Sequence, residues 1–319
     1  MKRTGLRLLL PAMIILLLFA TRLWQPEVAR TLPARTELSE GCWTGAGVYQ
    51  IPADSSGNLI RYGRDLIVRT AYYFGPKGRI ATGSNGMNCQ NCHLEAGTKP
   101  WGNNFGAVAA NYPKFRSRSG SIEGIAKRVN DCFERSLNGH AIDSTGKEMK
   151  AIIAYLQWLG NDIPKGISPK GCGIKVPPLL TRAADPLKGK QVFLETCARC
   201  HGKDGAGQTQ PDGMGYQYPP LWGIHSYNTG AGLYRLSAFA GFVQNNMPNP
   251  TNYHHPILSN SEAWDVAAFV NSQSRPVMSV SGDWPDIRKK PFDYPFGPYA
   301  DSLPEQQHKY GPWPEQHLF

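Results

Sequence analysis

Two pentapeptides carry the most chemistry in this chain: Cys89-Gln90-Asn91-Cys92-His93 and Cys197-Ala198-Arg199-Cys200-His201. Both read C-x-x-C-H, the attachment pattern of c-type haem. The two thiols form thioethers to the porphyrin vinyl groups, and the adjacent histidine sits under the iron as proximal ligand. One copy would also suit half a zinc site. Two copies, each followed by a candidate sixth ligand, point to a cytochrome with two covalently bound haem c groups.

The sixth ligands decide what each haem does. After His201 the best candidate is Met247, in Asn245-Asn246-Met247-Pro248. Thioether ligation favours ferrous iron and raises the potential. Met214, His225, His254 and His255 are rivals, each also readable as a loop or surface residue. After His93 no methionine matches. Met87 precedes the motif, Met149 lies on an apolar stripe suited to core packing, and His140 is a further option. Cys132 occupies the equivalent stretch. A lone cysteine is commonly a small buried hydrophobe, yet Arg118, Arg128 and Arg135 flank this one, and positive charge favours thiolate. Arg128 lies four residues earlier, on the same helix face. Plain surface charge is the competing reading of those arginines.

The elements that must position these groups read as two helical halves. Tyr62, Leu66, Ile67, Thr70, Ala71 and Phe74 form a helical stripe ahead of the first motif. Ser121 reads as the N-cap of a second helix with Ile122, Ile125, Val129, Cys132 and Phe133 on one face. Met149, Ile152, Ile153, Leu156 and Leu159 mark a third, stopped by Gly160 and Pro164. In the second half Asp185-Pro186 reads as N-cap and first turn, running through Val192 and Phe193 into the second motif. Ser259 and Ser261 cap a closing helix with Trp264, Ala267, Ala268 and Val270. Helix, haem motif, loop, ligand, helix is the order of the small all-α cytochrome c fold. The expected organisation is two tandem class I cytochrome c domains, residues 35–164 and 185–275. A Pro/Gly-rich linker at 165–184 joins them, and an extended tail at 276–319 follows.

Composition bounds the rest. The chain has 319 residues, 34 Gly, 26 Pro and a net charge of +10, which suits a loop-rich globular protein and anionic partners. Its basic residues are scattered without a nucleic-acid motif, so nucleic acid is the weakest partner class. Lys2, Arg3 and Arg7 precede an apolar stretch from Leu8 to Ala20, short for a span of about 20 residues. Residues 1–34 are therefore expected to be a signal peptide or an N-terminal membrane anchor, with the protein periplasmic either way. In that compartment Cys42 and Cys172 are open to a disulfide or to two separate thiols.

A resemblance covers about Tyr62 to Trp313. The run Arg128-Val129-Asn130-Asp131-Cys132-Phe133-Glu134-Arg135-Ser136-Leu137-Asn138-Gly139 resembles the dihaem thiosulfate dehydrogenases that form tetrathionate. So do Tyr112-Pro113 with Arg116-Ser117-Arg118, Cys92-His93-Leu94-Glu95-Ala96-Gly97-Thr98, Tyr218-Pro219-Pro220-Leu221-Trp222-Gly223, the Met247 segment and His308-Lys309-Tyr310-Gly311-Pro312. The resemblance implies an active-site haem ligated by His93 and Cys132, with Arg118, Arg128 and Ser136 on substrate-pocket positions. It also implies a second haem, ligated by His201 and Met247, that passes electrons to an external cytochrome c. Asn246 stands where some relatives carry a competing lysine ligand, so no lysine switch is expected there. The alternatives are an electron-transfer cytochrome without its own substrate, a dihaem peroxidase and a membrane-anchored docking subunit.

Overall fold

The computed structural model describes residues 41–314. The expected signal or anchor lies outside the described residues. Among the described residues no helix is long and apolar enough to cross a membrane.

Two hydrophobic cores organise the described residues. The first gathers Leu66, Ile67, Phe74, Phe133, Tyr155 and Leu159. It forms where α1 (Ser55–Val68) crosses α4 (Lys147–Leu159), with α2 (Thr70–Phe74) and α3 (Ile125–Arg135) against them. Asp54 starts α1 by accepting the Gly57 N–H at 2.9 Å, and Gly160 follows α4 as its C-cap. The second core centres on Phe193, Phe239, Trp264, Val266 and Val270. It is built by α5 (Pro186–Val192), α6 (Leu236–Asn246) and α7 (Asn260–Ser272). Asp185 caps α5 through the N–H groups of Leu187 and Lys188, with proline in the first turn. Ser259 and Glu262 form a reciprocal capping box at α7, satisfying two otherwise orphaned donors.

Both cores use a glycine at the helix crossing. A Cβ on Gly63 would stand 1.9 Å from the Ala151 carbonyl oxygen, and one on Gly189 only 1.8 Å from that of Asp265. Only hydrogen fits there, so any larger residue would force the crossing helices apart.

The helix expected from Ser121 begins later. Lys114–Arg116 (β1) pairs antiparallel with Ser121–Glu123 (β2), Arg116 facing Ser121. Gly120, at φ +66°, completes the reversal, and extended Gly124 leads into α3 at Ile125. Ser121 is thus a strand residue, and Ile122 is exposed rather than on a buried helix face. β-Branched Ile122 beside a turn containing glycine favours the hairpin over a helical first turn. A second small hairpin, β3 (Gln208–Thr209) with β4 (Tyr216–Tyr218), follows the second haem motif. Helix α6, nine of whose residues are buried, is apolar on nearly every side and shows no amphipathic stripe.

Two irregular stretches tie the halves together. In 165–184, the Gly171 carbonyl accepts from Trp101 N and Asn104 Nδ2, both at 2.7 Å. The Lys175 carbonyl accepts from Asn245 Nδ2 at 2.7 Å, and Arg182 forks onto Asp265 with two contacts of 2.8 Å. After residue 275, Asp283 reaches the first half while Asp293 binds Arg235 and Ser237 in the second. This part is not wholly extended, since Glu305–Tyr310 forms α8. Cys42 and Cys172 are free thiols, and the Tyr253 hydroxyl donates to Cys42 Sγ at 3.4 Å.

Candidate functional site

Each proximal histidine is held by a backbone carbonyl. His93 Nδ1 lies 2.5 Å from the Asn103 carbonyl oxygen, and the ring stacks on Phe105 at 4.4 Å. His201 Nδ1 lies 2.8 Å from the Pro219 carbonyl oxygen. A carbonyl can only accept, so Nδ1 carries the proton and Nε2 keeps the lone pair a metal needs. Burial pushes His93 down to about 4 and lowers His201 as well. Both imidazoles are therefore neutral at pH 7 and ready to ligate.

The second motif opens onto a cavity of about 670 Å³ lined by Cys197, Cys200, His201, Met247, Phe239 and Val266. That volume lies in the range of cofactor pockets. Met247, the C-cap of α6, stands on the same cavity wall as His201. The lining reaches Cys92 and Leu94 of the first motif, and Leu94 packs against the second core. A largely apolar cavity that brings Cys197 and Cys200 together with a neutral histidine and a thioether fits a thioether-linked haem. Among the rivals, Met149 is fully buried on α4 and Met87 is buried in the first core beside Asn85. His140 is exposed at the surface.

The first motif faces different company. Arg128 and Cys132 stand one turn apart on α3, and Arg128 Nη1 donates to Cys132 Sγ at 3.1 Å. The neighbouring Cys132 sulfur holds the Arg128 guanidinium above its ordinary pKa, more than offsetting burial. Cys132 is also close enough to Cys89 and Cys92 to raise both thiols, although burial is the larger cause there. Ser136, the C-cap of α3, follows one turn on, its N–H bonded to the Cys132 carbonyl at 2.9 Å.

Arg118 reaches this neighbourhood from the β1–β2 turn. Its Nη1 contacts the Gly230 carbonyl at 3.5 Å, and its Nε lies 3.9 Å from Asp283. Burial, then the neighbouring Arg135, pushes the Arg118 guanidinium down, and Asp283 opposes both. Arg135 itself is committed to a fork on Asp283, with both contacts at 2.8 Å. Burial works against its charge, but Asp283 outweighs that and its pKa rises. The Tyr294 hydroxyl donates to the same carboxylate at 3.2 Å.

The structure thus brings Arg128, Cys132 and Ser136 onto one helix, with Arg118 in the same charged cluster. Nothing in the sequence pattern marks Asp283, which lies 148 residues beyond Arg135. Nor does it mark the 226–230 loop. There Asn228 donates to the Glu134 carbonyl at 2.8 Å, and the Gly230 carbonyl receives both arginines.

Comparison with known proteins follows the same division. Residues 79–164 match the family model "SoxA/TsdA, cytochrome c domain", and residues 187–274 match "Cytochrome c". The two C-x-x-C-H segments accordingly hold two covalently bound c-type haems. The thiosulfate dehydrogenase of Stutzerimonas stutzeri is 38% identical over 226 residues, 71% of this chain and 70% of that protein. That of Allochromatium vinosum is 36% identical over 258 residues, covering 79% and 86% respectively. A solved structure of thiosulfate dehydrogenase (TsdBA) from Marichromatium purpuratum, in its "as isolated" form, superposes with a TM-score of 0.68 at 30% identity. The match covers 74% of this chain and half of that longer one.

Proposed function

This chain belongs to the thiosulfate dehydrogenase family, and from that premise we propose that it is a periplasmic dihaem cytochrome oxidising two thiosulfates to tetrathionate. The observation that carries the reading is the 3.1 Å contact between Arg128 and the sulfur of Cys132 within a cluster of arginines. A sulfur nucleophile beside cationic forks suits a sulfur-bearing dianion better than it suits electron transfer alone.

Two thiosulfate dianions repel one another, so the site must supply positive charge where they meet. Arg128 and Arg118 do so with planar donors matched to sulfonate oxygens. Arg135 is neutralised by Asp283 and serves to hold the end of α3. Ser136 adds a neutral donor one turn beyond Cys132. The Cys132 thiolate forms a bond to the sulfane sulfur of the first thiosulfate, releasing two electrons and leaving a cysteine S-thiosulfonate. The second thiosulfate attacks that sulfane sulfur, releasing tetrathionate and regenerating the thiolate. Charge balances in both steps without a proton transfer. When bound, the two haems supply one-electron centres in series that take up the two electrons and pass them to an external cytochrome c.

In this reading His93 and Cys132 ligate the active-site haem, while His201 and Met247 ligate the relay. The same steps run backwards make tetrathionate reduction available from the same residues. Export to the periplasm, as a soluble protein or held at the inner membrane by residues 8–20, agrees with the extracytoplasmic compartment that the two haem attachment motifs imply.

The test is thiosulfate-dependent reduction of ferricyanide by the haem-loaded wild type and Cys132→Gly. Turnover in the wild type and none in the variant supports the proposal; equal rates in both overturn it. Electron paramagnetic resonance adds an independent check. A low-spin histidine–thiolate signal lost in the variant is expected, whereas a high-spin centre with peroxide turnover favours a peroxidase.

A further inference from the structure

Arg275 is a guanidinium buried without a carboxylate partner among the described residues. It is 8% exposed. Nη2 donates to the Val270 carbonyl at 2.6 Å, but Nε and Nη1 are buried and have no acceptor among the described residues. The guanidinium is packed against two tyrosines, 4.3 Å from the ring centre of Tyr227 and 5.1 Å from that of Tyr234. Tyrosine faces return only part of what a cation loses on leaving water, so the site as built calls for an anion.

The place of Arg275 says which anion. Val270 and Tyr227, two of the residues it touches, both line the cavity shared by His201 and Met247. The Tyr227 hydroxyl donates to Asn271 at 2.9 Å and lies close enough to the guanidinium to feel its charge, while Nε and Nη1 of Arg275 keep no acceptor beside that wall among the described residues. A haem brings two carboxylates into such a cavity, and a guanidinium fork matches a carboxylate.

We propose that Arg275 binds a propionate of the haem attached at Cys197 and Cys200, and thereby raises the potential of that centre. The inference rests on haem attachment alone and goes beyond the substrate reading. A fixed positive charge beside a propionate favours the electron-rich ferrous state. Arg275 is in this sense a positioning and tuning residue of the relay haem, and it has no contact with substrate.

The experiment is spectroelectrochemical titration of the holoprotein, following the two centres separately, in wild type, Arg275→Gln and Arg275→Lys. Arg275→Gln is expected to lower the potential of the His201 centre by about 59 mV, a tenfold change for one electron. Arg275→Lys keeps the charge and should shift it less. Both should leave the His93 centre in place. An unchanged His201 potential in haem-loaded Arg275→Gln overturns the proposal, as does a shift confined to the His93 centre. Should Arg275→Gln fail to retain haem, infrared difference spectra of Arg275→Lys on reduction decide the matter. A displaced propionate carboxylate band, traced with carboxyl-labelled haem, supports the pairing, and an unmoved band refutes it.

Discussion

The two haem motifs are chemically identical at the point of attachment and dissimilar a few ångströms away. His93 and His201 are both neutral, both buried and both held through Nδ1 by a carbonyl. Around His201 the cavity wall is largely apolar, with Met247 as its thioether. Near the first motif stands α3, with Cys132 in contact with Arg128. Two more arginines, Arg118 and Arg135, gather at Asp283 and the Gly230 carbonyl. In the proposed reading the difference gives a duplicated unit two duties. Thioether attachment and the proximal ligand are conserved between the halves, while distal charge separates a site suited to anionic sulfur from one suited to passing electrons.

The sharpest way to break that contrast is at Cys132. Cys132→Gly should lower thiosulfate oxidation by at least about 10⁴-fold, as loss of a nucleophile does. The methionine–iron absorption band of the other centre should stay as it was, and loss of that band along with activity would mean the two sites are not separable. Next in size is Asp283→Asn. It strips the partner from Arg135, whose side chain is only 12% exposed. Breaking such a pair costs about 3–5 kcal/mol, to be read as a lowered melting temperature of the holoprotein.

Arg128→Gln should reduce kcat/KM by about 10²–10³-fold, the scale of one lost electrostatic donor. Arg128→Lys should fall between, because a single ammonium cannot reproduce the fork. Steady-state rates in both directions measure this, and an equal loss in each is expected of a residue that holds the shared transition state. The smallest effect belongs to the relay. Met247→His should lower the potential of the His201 centre by at least about 59 mV without altering the apparent affinity for thiosulfate. A changed affinity would place Met247 at the substrate instead.

Much of the fold was legible because its signals are short. Asp185-Pro186, the Ser259 cap and the stop at Gly160 are each set by a few consecutive residues, and each appears as a helix end, although Ser261 lies within the helix. Ser121 misled for the same reason. A serine ahead of an apolar run looks like a cap, but the partner that makes it a strand residue is Arg116. Helix α6 escaped because its burial on almost every side erases the amphipathic period. At the candidate site, Cys132 and Arg128 were legible since four-residue spacing on a helix brings side chains together. Asp283 and Gly230 were not, because their contacts with Arg118 and Arg135 span about a hundred residues or more.

By itself, then, the amino-acid sequence determined two haem attachment sites, their proximal histidines and the helices on either side, all encoded within a few residues of one another. The tertiary structure alone decided which cations stay paired and which do not. Asp283 claims Arg135, Arg128 donates to a sulfur atom, and Arg275 is buried beside the His201 cavity with two donors unmet among the described residues. The physical reason is that the worth of a buried charge depends on what lies within about 4 Å of it, and chain distance does not specify that neighbourhood.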